Sequence, residues 1–145
     1  MKLTSPAFEN GGKIPEEYTC DGEGVSPPLL ISDVPISTKS LALVMEDSDA
    51  PLGKFIHWVL WNIPPKTTTI KKGESVVYPQ GKTSSWKQGY VGPCPPSGSH
   101  RYYFHLFALD VVLPLKPGAD TKELEKEMAG HVIADTQLQG RYTRR

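Results

Sequence analysis

The stretch HRYYFHLFALDVVL, which runs from His100 to Leu113, is the longest strand signal in the chain. Aromatic and β-branched residues are common in it, and these residue types favour extended backbone on a packed sheet. Because side chains alternate between the two faces of a strand, His100 and Tyr102 are predicted to share one face, while Arg101 and His105 point the other way. This stretch is the strongest indication in the sequence of a fold rich in β-structure.

Two further stretches predict a pair of strands in the first half of the chain. Residues 40–46, SLALVME, and residues 55–63, FIHWVLWNI, are apolar on both faces, which is typical of strands covered on both sides. The polar, turn-forming segment DSDAPLG, residues 47–53, lies between them. The two strands are therefore expected to form a hairpin or near-hairpin whose loop carries Asp47 and Asp49.

One helix is predicted, near the C-terminal end of the sequence. Asp120 is a good N-cap with Glu123 three residues later, and Leu124 and Met128 mark one apolar face. Gly130 is expected to stop or bend this helix.

The remaining segments complete a mainly β fold class. Residues 66–87 are polar and predict a long surface connection, with one short strand at Ser75 to Tyr78, and Gln139 to Thr143 is a candidate last strand. The 13 Gly and 14 Pro among 145 residues leave few uninterrupted stretches for a helical bundle. The length corresponds to a single domain, residues 1–145.

The charge balance excludes some classes of partner. Sixteen Lys and Arg balance sixteen Asp and Glu, so no nucleic acid partner is expected. No apolar run approaches the roughly 20 residues of a membrane span, and the first residues, MKLTSP, lack the apolar core of a signal peptide. A cytoplasmic location is the expectation. Cys20 and Cys94 are too few for a disulfide framework, so reduced thiols are expected there.

Polar side chains gather where the predicted strands begin and end. Asp47 and Asp49 close the first strand of the hairpin, His57 opens the second, and His100 opens the long strand, two residues before Tyr102. Imidazoles, a phenol and the backbone N–H groups of a Gly-rich loop can all donate to an anionic oxygen, and a nearby carboxylate can orient an imidazole. The pattern predicts a small cavity for phosphate, sulfate or carboxylate.

Two details of this prediction depend on the positions of individual histidines. Strict alternation along the second strand of the hairpin predicts that His57 shares a face with Val59 and Trp61. His105 and His131 are expected to be structural residues.

Three ordered blocks carry a resemblance to a known family. DSDAP at residues 47–51, HWV at 57–59 and GPCPPSGSHRY at 92–102 resemble the signature of the phosphatidylethanolamine-binding protein family, also called Raf-kinase-inhibitor-like. YTCDG at 18–22, followed by SPPL at 26–29, is similar to the start of its bacterial and archaeal branch. The resemblance covers almost the whole chain and is that of a short, prokaryotic-type member.

The resemblance implies a sandwich in which a large central antiparallel sheet packs on a smaller sheet, with one helix near the C-terminus. It also implies an anion pocket at one end of the large sheet. Ser48 stands where the family usually has Pro, and both neighbouring carboxylates are kept. The ligand-binding residues that it implies are Asp47, Asp49, His57, Gly92, Pro93, His100 and Tyr102.

The function expected on these grounds is non-enzymatic binding of a small anion, without metal or cofactor. Regulation of a kinase or protease and formation of a homodimer are further expectations, because some relatives show them. The alternative is a hydrolase using the same Asp and His cluster. Against it, Ser99 and His100 are adjacent on a strand and cannot pair as nucleophile and base. Metal binding by Asp47, Asp49, His57 and His100 would need those four residues to converge.

The two cysteines lie in two different Gly-rich loops. Cys94 belongs to the loop expected to form the pocket, and Cys20 to the loop near the start of the chain. If the two loops approach each other, a disulfide between them becomes the alternative to reduced thiols.

Overall fold

The fold of the chain is seen in a computed structural model, which describes residues 1–74 and 77–144. Eight strands, one α-helix (α1) and a 3-10 helix at Glu16–Tyr18 are found in these ranges. The elements are β1 Lys2–Thr4, β2 Gly12–Lys13, β3 Leu29–Ser32, β4 Ser40–Asp47, β5 Phe55–Ile63, β6 Thr69–Ile70, β7 Ser99–Leu109, α1 Thr121–Met128 and β8 Val132–Thr143.

The strands form two sheets, which confirms the predicted mainly β sandwich. The larger sheet has the order β2-β8-β7-β4-β5, and the smaller has the order β1-β3-β6. All strand pairs are antiparallel except the one between the two-residue β2 and β8, which is parallel. The predicted hairpin is β4 and β5, and β4 is hydrogen-bonded on both edges, to β5 and β7.

The two faces of the larger sheet bury different sets of apolar side chains. On one face, Leu41, Leu43 and Met45 of β4 pack in a core that includes Leu29 and Ile31 of the smaller sheet. On the other face, Ala42, Val59 and Trp61 pack with Leu124 and Met128 of α1. β4 is therefore buried on both faces because a sheet covers one and a helix covers the other.

The α-helix begins where the sequence predicts it. The Asp120 side chain accepts from the Glu123 N–H at 2.9 Å, and the Glu123 side chain reaches back to the Asp120 N–H at 3.4 Å, which is a capping box. The helix ends at Met128, and Gly130 follows with a φ of +80°, a conformation that glycine adopts without strain.

Two bulges in β5 change which way its side chains point. The pairing between β4 and β5 shifts between Met45 and Glu46, where Met45 pairs with Trp58 and Glu46 with Ile56, so His57 is an extra residue. A second shift places an extra residue at Asn62, which has a φ of +52°. A bulge re-aims the side chains around it.

The bulge makes the predicted placement of His57 wrong. Val59 and Trp61 face the helix side, whereas the His57 ring packs edge-on against Tyr102, with centroids 5.3 Å apart, and Tyr102 belongs to the opposite core. His57 therefore joins the face that carries His100 and Tyr102.

Two predicted strand boundaries also differ from the structure. The strand signal from His100 continues to Leu113, but β7 ends at Leu109, and the Leu113 backbone instead bonds the Asn62 side chain through both its N–H and its carbonyl. The last strand is longer than the predicted segment 139–143, since β8 begins at Val132.

The polar connection between β6 and β7 contains little regular structure. Of the short strand predicted at Ser75 to Tyr78, residues 75 and 76 lie outside the described residues, and residues 77 and 78 belong to no strand. In residues 1–74 and 77–144, no helix is long and apolar enough to cross a membrane.

Candidate functional site

A cavity of about 230 Å³ opens at one end of the larger sheet. Three segments surround it: the end of β4 with the loop that follows, the start of β5, and the loop before β7. Its lining consists of Asp47, Ala50, Pro51, Phe55, His57, Val91, Gly92, Cys94, Pro95, Pro96 and His100. Of the seven predicted site residues, Asp47, His57, Gly92 and His100 are thus brought together at its wall.

A buried pair of side chains, Asp47 and His100, forms the floor of the cavity. Asp47 Oδ2 lies 2.6 Å from His100 Nδ1, and both side chains are less than a tenth exposed. Asp47 Oδ1 accepts from the Asp49 N–H at 2.8 Å, which fixes the carboxylate at the turn after β4. The Asp47 carboxylate therefore accepts a hydrogen bond from the Nδ1–H of His100, so that Nε2 is the ring nitrogen left for a ligand.

The second imidazole, that of His57, is fixed by the loop before β7. Its Nδ1 lies 2.6 Å from the Val91 carbonyl, so Nδ1 carries the proton and donates it, and the Val91 N–H donates to the His57 carbonyl at 2.9 Å. Burial lowers the pKa of His57, although the Val91 carbonyl and the Asp47 charge oppose that shift. Near neutral pH this ring is uncharged, and its Nε2 is a hydrogen-bond acceptor.

Tyr102 lies beneath the two imidazoles rather than in the lining of the cavity. Its side chain is fully buried, and its hydroxyl has no hydrogen-bond partner of good geometry among the described residues. Burial, together with the charge of the nearby Asp47 carboxylate, raises the pKa of Tyr102. Tyr102 is thus neutral, and it supports the ring of His57 by edge-on contact.

Asp49 and Pro93, the two remaining predicted site residues, do not line the cavity. The Asp49 carboxylate is bound by Arg101 instead: Oδ2 accepts from the Arg101 backbone N–H at 2.8 Å and from Nε at 3.0 Å, and Oδ1 accepts from Nη2 at 2.9 Å. These bonds lower the pKa of Asp49 to about 2. Asp49 therefore holds the loop after β4 against β7.

A disulfide joins Cys20 to Cys94, so the expectation of reduced thiols is wrong and the alternative pairing is correct. The loops of the two cysteines meet closely, since the Cys20 N–H donates to the Pro93 carbonyl at 3.1 Å. At Gly92, a Cβ atom would lie 2.8 Å from the Tyr18 carbonyl oxygen, so only glycine allows this approach. The sequence left the pairing open because it depends on how two distant loops pack.

Several lining residues carry no polar side chain and were not singled out from the sequence. Ala50, Pro51 and Phe55 form one wall, and Pro95 and Pro96 another. The proline-rich block at residues 92–102 was the feature of the sequence that could have predicted the second wall, because prolines make a loop rigid. None of the lining residues has a hydroxyl side chain, and the one cysteine among them is in the disulfide.

The other histidines pair with carboxylates away from the cavity, as expected for structural residues. His105 Nε2 lies 2.6 Å from Glu46 Oε1, and His131 Nδ1 lies 2.8 Å from Asp110 Oδ1. Among the described residues, no group of three or more His, Cys, Asp and Glu side chains is arranged to hold a metal ion.

The fold and this cavity define a class of β-sandwich proteins with a small cavity at one end of the larger sheet, where a carboxylate and two imidazoles meet apolar walls. The sequence model of the phosphatidylethanolamine-binding protein family matches residues 4–143. The chain belongs to the phosphatidylethanolamine-binding protein family.

Relatives of similar length support this assignment over the whole chain. A UPF0098 protein of Chlamydia muridarum is 44% identical over 147 residues, with 98% of each chain covered. A UPF0098 protein of Methanothermobacter thermautotrophicus is 46% identical over 150 residues, with 99% of each chain covered.

Two solved structures have the same fold. One, described as a phosphatidylethanolamine-binding protein homologue from Chlamydia trachomatis, superposes with a TM-score of 0.96 at 43% identity, covering 99% of this chain and 97% of the other. The other, YbcL of E. coli, is described as a new member of the mammalian family and superposes with a TM-score of 0.91 at 26% identity, covering 99% and 98%.

Proposed function

We propose that this protein binds a small anion, a phosphate, phosphoryl or carboxylate group, in the cavity between Asp47, His57 and His100, without chemical turnover. The observation that carries the proposal is the arrangement of the two imidazoles. Each ring uses Nδ1 inside the protein, to the Val91 carbonyl or to Asp47, which leaves both Nε2 edges for one shared cavity.

The size of the cavity favours a head group over a larger ligand. Pockets that enclose drug-sized molecules have volumes of about 300–1,000 Å³, whereas this one has about 230 Å³. Apolar side chains, those of Phe55 and the prolines, provide most of the remaining wall. They suit a ligand whose charged end meets the imidazoles and whose remainder is small or extends to solvent.

Binding an anion here requires a defined change of protonation. When Nδ1 carries the only proton of each ring, both Nε2 atoms are acceptors and cannot donate to an oxyanion. An oxyanion needs a donor here, so the complex forms with a proton on Nε2 of His100 while Nδ1 keeps its hydrogen bond to Asp47. A phosphate monoanion can also donate its own O–H to the neutral Nε2 of His57. We therefore expect the complex to take up protons as it forms.

The lining favours binding over the hydrolase alternative. No lining residue offers a hydroxyl or a free thiol as a nucleophile. Ser99 is exposed and His100 is buried, which fits the expectation that neighbouring residues of β7 face opposite ways. A panel of carboxylic and phosphate esters is expected to show no turnover that depends on His57.

The direct test is a titration with inorganic phosphate followed by two-dimensional NMR. We expect shifts confined to residues around the cavity, including His57 and His100, and loss of saturable shifts in His100→Ala. His131→Ala is the matched control, since His131 also pairs with a carboxylate but is more exposed and does not line the cavity. Unmoved His57 and His100 resonances at millimolar phosphate would overturn the proposal.

A further inference from the structure

The Cys20–Cys94 disulfide lies at the edge of the cavity and is open to solvent. Both half-cystines are exposed, but only Cys94 is part of the cavity lining. Exposed disulfides exchange with thiols more readily than buried ones do. One residue of this bridge, Cys94, therefore lines the same cavity as His57 and His100.

The bridge also holds one wall of the cavity in place. The Pro93 carbonyl accepts from the Cys20 N–H, but residues 94–98 make no hydrogen bond to other described residues. From Cys94 to the start of β7, the disulfide is the bond that ties the chain to the loop near residue 20. The position of the wall formed by Pro95 and Pro96 therefore depends on the disulfide.

We propose that the Cys20–Cys94 bridge is a site of thiol–disulfide exchange that selects small anionic thiols, with Cys94 as the sulfur attacked. The selection rests on the anion binding proposed above. The carboxylate of such a thiol occupies the place of the anion between the imidazoles, and its sulfur is then held inside the cavity that Cys94 lines. Holding the thiolate beside Cys94 makes its attack effectively intramolecular, so the rate of exchange rises when the cavity is occupied.

The exchange balances without a further reagent. The thiolate of the anionic thiol attacks Cys94 Sγ, the bond between Cys94 and Cys20 breaks, and its electron pair leaves on Cys20 Sγ, which takes a proton from water. The product is a mixed disulfide at Cys94 and a free thiol at Cys20. A second thiolate then attacks the sulfur of the attached thiol, the symmetrical disulfide of the small thiol is released, and Cys94 Sγ leaves with the electron pair and takes a proton from water. Both cysteines are then thiols, and two molecules of the small thiol have been oxidised to one disulfide.

The mixed disulfide has a consequence for the cavity. Its carboxylate remains covalently attached in the place where a free anion binds, and the segment 94–98 is no longer tied to Cys20. We therefore expect the adduct to lose phosphate binding.

The first experiment compares mercaptoacetate with neutral 2-mercaptoethanol on the full chain at pH 6 to 8. Each rate is divided by the rate of the same thiol with an uncharged disulfide, oxidised 2-mercaptoethanol, which cancels the intrinsic reactivity of the thiol. We expect mercaptoacetate to react at least about tenfold faster in this normalised comparison, because its bound carboxylate holds the sulfur beside Cys94. Added phosphate should remove the advantage, His100→Ala should abolish it, and His131→Ala should keep it. Peptide mass spectrometry should find the first adduct at Cys94, and an adduct at Cys20 would contradict the proposal.

The second experiment separates the two sulfur positions and needs no intact bridge. Cys20→Ser leaves one thiol, at Cys94 in the cavity lining, and Cys94→Ser leaves one thiol, at Cys20 outside it. The ratio of the alkylation rate with iodoacetate to the rate with neutral iodoacetamide should be about tenfold higher at Cys94 than at Cys20, because only Cys94 lies beside the bound carboxylate. NMR spectra show whether each variant is folded, and the wild-type exchange rates test the proposal even if one variant is not.

The outcomes distinguish this inference from the proposed function. If phosphate shifts His57 and His100 but mercaptoacetate has no normalised advantage, the exchange site is wrong and anion binding stands. If phosphate neither shifts the histidines nor slows mercaptoacetate, both proposals fail. An advantage that persists in His100→Ala also overturns the inference, because the cavity is then not its cause.

Discussion

Two carboxylate–imidazole pairs lie on opposite faces of the same two strands, β4 and β7. Asp47 and His100 are 2.6 Å apart on the face toward the smaller sheet, and Glu46 and His105 are 2.6 Å apart on the face toward α1. Each pair is diagonal across the two strands. Asp47 stands opposite Tyr102, two residues from His100, and Glu46 stands opposite Tyr103, two residues from His105. The two hydrogen bonds are equally short, so the difference between the sites lies in their surroundings.

The surroundings determine which ring atoms and oxygens remain for a ligand. The second oxygen of Asp47 is taken by a backbone N–H, whereas the second oxygen of Glu46 lies 3.3 Å from the ammonium group of Lys54. His100 shares its cavity with the imidazole of His57, which the bulge in β5 and the loop before β7 place there. His105 lines a different cleft, against α1, and no second imidazole lines that cleft. A carboxylate–imidazole pair on a sheet thus becomes a candidate anion site only when loops bring further groups to it.

The largest expected difference between the pairs is in stability. Asp47→Ala leaves a buried imidazole without its partner and should lower the free energy of unfolding by about 3 kcal/mol. Glu46→Ala removes a more exposed pair, with His105 about a quarter exposed, and should cost about 1 kcal/mol. Urea unfolding followed by tryptophan fluorescence measures both. Equal losses would show that burial does not distinguish the two pairs.

The second expected difference is in anion affinity. His57→Ala removes one of the two imidazoles at the cavity and should weaken phosphate binding by tenfold or more, which corresponds to about 1.4 kcal/mol. His105→Ala should change it less than twofold, because His105 faces the other side of the sheet. Isothermal titration calorimetry in buffers with different ionisation heats should also show proton uptake on binding. A loss of affinity in His105→Ala would remove the distinction between the faces.

A smaller effect is expected from the ion pair on the outer side of the cavity loop. The folded-state pKa of Asp49 is about 2, below its usual value near 4, so the pair contributes stability above pH 4 and loses it as the pH falls toward 2. Because the side chain is partly exposed, that contribution is about 1 kcal/mol. Asp49→Asn should therefore be less stable than wild type at pH 7, and most of that difference should be lost at pH 2. Urea unfolding between pH 2 and pH 7 tests this, and a constant difference would contradict it.

The smallest effect concerns the neutral histidine. Burial lowers the folded-state pKa of His57, so below about pH 6.5 the unfolded chain binds more protons than the folded one. The free energy of unfolding therefore decreases as the pH is lowered through this range. In His57→Gln, the part of the stability loss at low pH that His57 causes should disappear. The matched variant His131→Gln should keep it, since His131 is exposed. Thermal unfolding between pH 5 and pH 8 measures the difference, and identical pH profiles of wild type and His57→Gln would count against a neutral buried His57.

The long elements were predictable from sequence because their signals are local. The apolar runs at 40–46 and 55–63 matched β4 and β5, and the capping residues Asp120 and Glu123 matched the start of α1. The end of β7 was missed by four residues, since Leu109 is the last residue with strand partners on both sides and that depends on β4 and β8. Strands of two or three residues, such as β2 and β6, exist only through their partners and leave no signal of their own.

The candidate site was predictable in its residues but less so in its geometry. The motif blocks identified Asp47, His57 and His100, which the structure places around one cavity. The bulge at His57 depends on the register between two strands, and the disulfide at Cys94 depends on the packing of two loops, so neither follows from spacing. The homodimer, the kinase or protease partner and the cytoplasmic location stay predictions.

The pairing of β2 with β8 has a consequence for the order in which the protein can fold. Gly12 stands opposite Gly140, and the Gly11 N–H donates to the Gln139 carbonyl at 2.8 Å, so contacts join residues almost 130 positions apart. Contacts of such long range slow folding, because a large loop must close before they form. On a ribosome, the N-terminal segment leaves the exit tunnel first but has no strand to join until β8 has been synthesised. The larger sheet can therefore be completed only after translation of β8, and until then its first strand is an unpaired segment that chaperones or neighbouring chains can reach.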